Sequence, residues 1–265
     1  MTIRILAVAF TFASLFLAGC GGSTEPETGA PALPPTESMS LDLGFFEINN
    51  SPALKAAAGS NLNFLNAYVR AAYINVAIVT AITPPYVVLS LALHTVPTKV
   101  DDNSYLWVYT WQENQQDHEI RLLGTVNENV VDWELSIVLP EQEPELWFYG
   151  QSHTDRDEGF WVFRDFTRDV NLEVLRIDWD LTQENHASLV FLNVDGGSED
   201  MGDQLSYLAT GANKSIEFLD LSNDMTWDIQ WNESNRAGSL RVPDYNDGDR
   251  ACWDTNLLDA ACAPA

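Results

Sequence analysis

Asp178 and Asp180 stand two residues apart in Arg176-Ile177-Asp178-Trp179-Asp180-Leu181. In an extended chain that spacing puts both carboxylates on one face, about 7 Å apart. Such a pair can serve glycoside hydrolysis, with one acid and one base or nucleophile, and nine tryptophans offer surfaces on which sugars stack. Arg176 shares that face, however, and alternate acids describe a wet strand surface equally well. The four histidines, His94, His118, His153 and His186, have no second ligand-type residue at metal-motif spacing. Nucleophilic catalysis needs a Ser, Cys or Thr activated by an oriented base, and no Gly-x-Ser-x-Gly elbow occurs. Two acidic stretches offer oxygen ligands to Ca²⁺: Asp195, Glu199, Asp200 and Asp203 in one, Asp244, Asp247 and Asp249 in the other. Neither fits the pattern D-x-[DN]-x-[DN]-G, since Gly248 falls one place early. The expectation is a protein that is not an enzyme, with no catalytic residue, no metal site and no cofactor.

The cysteines are more informative. Arg4 precedes an apolar run over residues 5–17, broken only by Thr11 and Ser14, and Leu17-Ala18-Gly19-Cys20 follows. A charged start, a short apolar core and a small-residue cleavage site make a secretory signal, too short to span a membrane. Leu17-Ala18-Gly19-Cys20 in that place resembles the lipobox of bacterial lipoproteins, cut by signal peptidase II. The resemblance covers about the first twenty residues. It implies cleavage before Cys20, a diacylglyceryl thioether on its sulfur, and acylation of the new amino group, as with palmitate. Gly21, which is not the aspartate that favours inner-membrane retention in such proteins, points to the outer membrane of a Gram-negative cell. With Cys20 taken by lipid, Cys252 and Cys262 are left as a pair in an oxidising compartment. A disulfide between them is expected. Two thiols without a nearby His make a poor zinc site, and a redox pair would more often read Cys-x-x-Cys.

The 39 acidic and 13 basic residues give a net charge of −26. Such a surface repels phosphate backbones, so nucleic acid is excluded as a partner. Residues 21–40 are rich in Gly, Pro, Ser, Thr and Glu, a composition read as a flexible tether. The expected organisation is a signal peptide over 1–19, a lipidated cysteine and tether over 20–40, and a single domain over 41–265.

Within that domain, helices are expected over about 51–95. Ser51-Pro52 has the form of an N-cap followed by a helix-starting proline. Leu62, Leu65, Val69, Ala72, Tyr73, Val76, Val79 and Ile82 recur at helical spacing. Thr83-Pro84-Pro85 is expected to stop that helix, with a further turn through residues 86–93. Residues 71–93 carry no charge and have the length of a membrane span. The prolines and Asn75 favour a buried helical hairpin instead.

From Ser104 the texture changes to period two. Eleven strand-like runs fall near 104–112, 118–127, 130–139, 145–153, 159–167, 171–181, 186–194, 204–209, 214–221, 225–232 and 237–242, joined mostly by short polar turns. The fold class this predicts is mainly β. It is a large antiparallel meander over about 104–242, a curved sheet or half-barrel packed against one or two N-terminal helices, with a stapled segment over 243–265. Tyr105-Leu106-Trp107-Val108-Tyr109-Thr110-Trp111 and Phe160-Trp161-Val162-Phe163 are apolar on both faces and need cover, which the uncharged helices can supply. A curved sheet around an apolar helix resembles, in architecture alone, the half-barrel of Lol-type lipoprotein carriers and receptors. That likeness implies a lipid or apolar ligand in the hollow. Independently of it, the aromatic stripe Tyr105, Trp107, Tyr109 and Trp111, with Trp133, Trp147 and Trp161 on later strands, suits the lining of a ligand cavity. Solid core is the other fate open to these aromatics. The functional expectation is an envelope lipoprotein held to the membrane by its lipid, non-catalytic, binding an apolar ligand or an envelope protein. The alternatives are a surface-acting glycan hydrolase and a structural or protein-interaction component of the outer membrane.

Overall fold

The computed structural model describes residues 29–46, 60–92, 94–113, 116–138, 142–154, 157–165, 172–183 and 186–262. Cys20 and the helix expected near residues 51–58 lie outside them. The described chain is mainly β. Its strands are β1 (Thr98–Asp101), β2 (Ser104–Glu113), β3 (Gln116–Asn127), β4 (Val130–Val138), β5 (Glu145–His153), β6 (Glu158–Asp165), β7 (Leu172–Asp180), β8 (His186–Asn193), β9 (Gln204–Thr210), β10 (Asn213–Asp220), β11 (Met225–Asn232), β12 (Gly238–Arg241), β13 (Ala251–Trp253) and β14 (Asp259–Ala260). They form one open antiparallel sheet in sequence order, each strand paired to the next. The eleven strands expected from alternation are β2–β12.

Period two does the sorting. On β4, Val131, Trp133 and Leu135 are buried while Glu134 is exposed, and on β7, Ile177 and Trp179 are buried between more open Asp178 and Asp180. Slipping either strand by one residue would turn acids into the core, so the apolar pattern fixes the register. A second device sets how the large side chains fit. One row of cross-strand partners runs Tyr105, Gly124, Trp133, Gly150, Trp161, alternating aromatic and glycine from β2 to β6. A Cβ built on Gly150 would lie 2.5 Å from Cε3 of Trp161 and 2.2 Å from the carbonyl oxygen of Phe160. The indole thus lies over the neighbouring backbone in room that only a missing side chain provides. Gly238 and Trp253 repeat the arrangement between β12 and β13, where the same Cβ would come within 2.2 Å of the indole.

The helix α1 spans Leu62–Ala92, 31 residues, about 46 Å at 1.5 Å per residue. It touches β2 near the start of the strand order and β12, β13 and β14 at the end, so it stands where the sheet fails to close. Its first turn is capped from far along the chain. The Asn63 N–H donates to Oδ1 of Asp259 at 2.9 Å, across 196 residues, and Asn63 Nδ2 donates to the Cys252 carbonyl at 2.7 Å. A carboxylate at a helix N-terminus meets unpaired N–H groups and the positive end of the helix dipole. Contrary to the expected stop, α1 continues through Pro84 and Pro85. Two prolines remove two backbone donors and crowd the preceding turn. Burial of Ile82 just before them and of Val88, Leu89 and Ala92 on the following turns offsets that cost. Among the described residues no helix is long and apolar enough to cross a membrane.

The described part of the stretch read as a tether packs against the domain. Residues 29–46 form a strap across the inside of the sheet, with two short 3-10 turns at Thr36–Met39 and Gly44–Phe46. Ser38, Met39, Leu43 and Phe46 are buried. Low complexity misled here because a few apolar residues spaced along a Pro-rich segment suffice when a sheet is already there to receive them. Cys252 and Cys262 form the disulfide, with their Cα atoms 5.2 Å apart.

Candidate functional site

The interior was the expected place for a ligand. Tyr105, Trp107, Trp133 and Trp161 are buried in one continuous core with Phe148, Ile177 and Leu189. Trp111 and Trp147 are half-buried against that core. Tyr109 is exposed and stacks on Trp111, centroids 6.3 Å apart, and Trp111 in turn stacks on His118 at 5.0 Å. The structure therefore brings four of the seven together as packing and leaves Tyr109 outside. The strap occupies what would be the hollow. Trp161 Nε1 donates to Ser38 Oγ at 3.0 Å, and Phe46 packs edge-on to Trp231 at 5.0 Å and stacks on Phe64 at 6.1 Å. Trp133 Nε1 donates to Ser152 Oγ at 2.8 Å, so this indole nitrogen is satisfied within the core.

Beside the middle of the strap, an open cleft of about 720 Å³ is lined by Glu37, Asp42, Asp157, His186, Tyr207 and Lys214, among others. Lys214 projects inward from β10 with a side chain 6% exposed, and its ammonium donates to Asp42 Oδ2 at 2.5 Å and Glu233 Oε1 at 2.7 Å. Burial opposes the charge on Lys214, but the hydrogen bonds to the two carboxylates win and its pKa rises. Burial likewise opposes ionisation of Asp42, but the hydrogen bonds from Lys214 and the Gly44 N–H outweigh it and its pKa falls. Nothing in the sequence joined these residues, since Asp42 and Lys214 lie 172 positions apart.

Beside them, burial pushes the Tyr207 phenol up to about 12 from 10.0. A folded-state pKa above the unfolded one means that stability is complete below pH 10.0 and is lost as pH rises towards 12. Urea midpoints should therefore fall over that window, and Tyr207→Phe should flatten the fall. An unchanged slope in the variant would assign the loss to other groups.

The acids and histidines singled out in the sequence do not converge on this cleft, His186 excepted. Asp178 is gripped by Arg176, whose Nη2 donates at 2.5 Å while its guanidinium lies 4.2 Å over the Phe160 ring. Asp180 is held below the usual carboxylate range by donation from the Thr182 hydroxyl and N–H. A glycosidic acid needs the opposite shift. His153 lies 3.6 Å from Glu158, and His94 hydrogen-bonds the Ser90 carbonyl. Among the described residues no three His, Cys, Asp or Glu are placed to hold a metal. In the first acidic loop the Asp195 carboxylate accepts from Gly197 N–H, and Asp203 accepts from Leu221 N–H.

The remaining candidate is a surface. Leu62, Val69, Tyr73 and Val76, four of the eight residues that recur at helical spacing, face outward, whereas Ile82 of the same set is buried. Val69 is 56%, Val76 66% and Tyr73 77% exposed, and Tyr86 and Val87 continue the face. The buried side of α1 is Phe64, Ala67, Ala71, Ile74, Ile82, Val88 and Leu89. Periodicity marked the helix but not its buried side, because α1 is apolar nearly all round. The chain matches no family model, and comparisons with curated proteins and with solved structures gave no match.

Proposed function

We propose that this is a lipid-anchored, non-catalytic protein of the Gram-negative outer membrane, held through Cys20, that binds an apolar partner on the outer face of α1. The observation that carries the reading is that face, with Leu62, Val69, Tyr73, Val76 and Val87 exposed together along one helix. Contiguous apolar surface of this kind marks interaction sites on monomeric proteins. Packed aromatics and the strap fill the inside of the sheet, which favours binding outside it over a ligand in the hollow. Two measurements test the proposal. Metabolic palmitate label should enter the protein and be lost in Cys20→Ala. A photo-crosslinker at position 73 should give an adduct in intact cells that the same group at exposed Thr226 of β11 does not give. Absence of any adduct from position 73 would remove α1 as the working surface.

A further inference from the structure

We infer that the partner of the α1 face is the lipid bilayer itself, an inference that rests on the lipid-anchored reading above. Three observations favour lipid over a protein partner. The first is charge. Residues 62–92 contain one charged side chain, Arg70, and its guanidinium is already paired with Asp244 at 2.6 Å. The outer face is thus neutral on a chain of net charge −26. A second copy would bring two strongly anionic molecules together, whereas a zwitterionic lipid surface carries no such opposing charge.

The second is reach. Gly29 is the first described residue and lies beside the Tyr105 hydroxyl on β2, one of the strands α1 touches. Only eight residues lie between Cys20 and Gly29, so an acylated Cys20 holds that edge of the domain within about 30 Å of the membrane. A tether this short gives the bilayer a high effective concentration at the helix, and a contact too weak to act between free molecules is then occupied most of the time.

The third is chemistry. The exposed side chains are aliphatic with two tyrosines, Tyr73 and Tyr86. Tyrosine suits the headgroup boundary, where its ring meets lipid and its hydroxyl meets water. The opposite side of α1 is committed to the core, so the helix lies along the membrane surface rather than entering it.

The test uses the full lipidated protein in phosphatidylcholine vesicles. A solvent-sensitive dye is attached at Tyr73→Cys or, as reference, at Thr226→Cys, with the Cys252–Cys262 bridge intact. Co-flotation reports the anchor, and dye emission with iodide quenching reports docking. The expected result is co-flotation of both proteins, with a blue shift and several-fold weaker quenching at position 73 alone. Adding Val76→Glu should abolish the shielding and leave co-flotation and the circular dichroism spectrum unchanged. Co-flotation with position 73 as quenchable as position 226 would overturn the inference. In that case a Val76-dependent dimer in sedimentation would name a second copy as occupant and keep α1 as the working surface. A chain that does not float would remove the anchor, and bilayer docking with it.

Discussion

Trp161→Ala is expected to lower the stability of the domain by about 3–5 kcal/mol. Trp161 is fully buried at the middle of the aromatic–glycine row, edge-on to Phe148 at 5.5 Å and over Gly150. Truncation leaves a cavity bounded by a sheet and a strap that cannot both move in to fill it, and it strands the Ser38 hydroxyl. Trp161→Phe separates these effects. It keeps most of the ring volume and deletes the Nε1 donor to Ser38, a loss of about 1 kcal/mol. Urea unfolding of Trp161→Phe, Ser38→Ala and the double variant forms a cycle. A double variant no worse than the poorer single one would show that the bond holds the strap. Strict additivity would show that it does not.

Removing the Cys252–Cys262 bridge, by reduction or by Cys252→Ser with Cys262→Ser, should cost about 3 kcal/mol from the entropy of an eleven-residue loop. That is a large part of the 5–15 kcal/mol typical of a domain. The effect should be uneven. The bridge closes the hairpin of β13 and β14, which supplies the Asp259 carboxylate and the Cys252 carbonyl that hold Asn63. Asp259 N–H also donates to the Ser60 carbonyl at 2.9 Å. Amide exchange should therefore accelerate first in the opening turn of α1 and in β13, and only later in β4–β6. Uniform acceleration across the sheet would mean that the bridge acts on the unfolded chain alone.

The strands were legible because alternation and turn chemistry are local. β2–β12 follow directly from runs such as Val131-Asp132-Trp133-Glu134-Leu135. β1, β13 and β14 were not, since four, three and two residues are too few to show a period. The disulfide was legible through the cysteine count, together with an N-terminal run read as an export signal. What the sequence concealed are relations between distant segments: Ser38 with Trp161, Asp42 with Lys214, Asp259 with Asn63. Each belongs to an element whose local pattern is ordinary. The side of α1 that meets the core was concealed for a different reason. Ala67 and Ala71 are buried while Val69 and Val76 are not, so close approach of the helix to the sheet, not residue hydrophobicity, decides which face turns inward.

The far-reaching cap on α1 has a consequence for assembly. Every strand finds its partner in the next hairpin, so the sheet can zip up from short-range contacts. Its filling cannot, because the strap and α1 precede all fourteen strands, and β2, β6 and β7 seat them only in part until β10–β14 complete the lock. Such long loop closures come late. A chain emerging amino-end first thus releases its most apolar segments long before their seat exists, and leaves the aromatic face of the young sheet bare until they return. The yield of folded protein will therefore respond to Asp259 and the bridge more sharply than the finished molecule does.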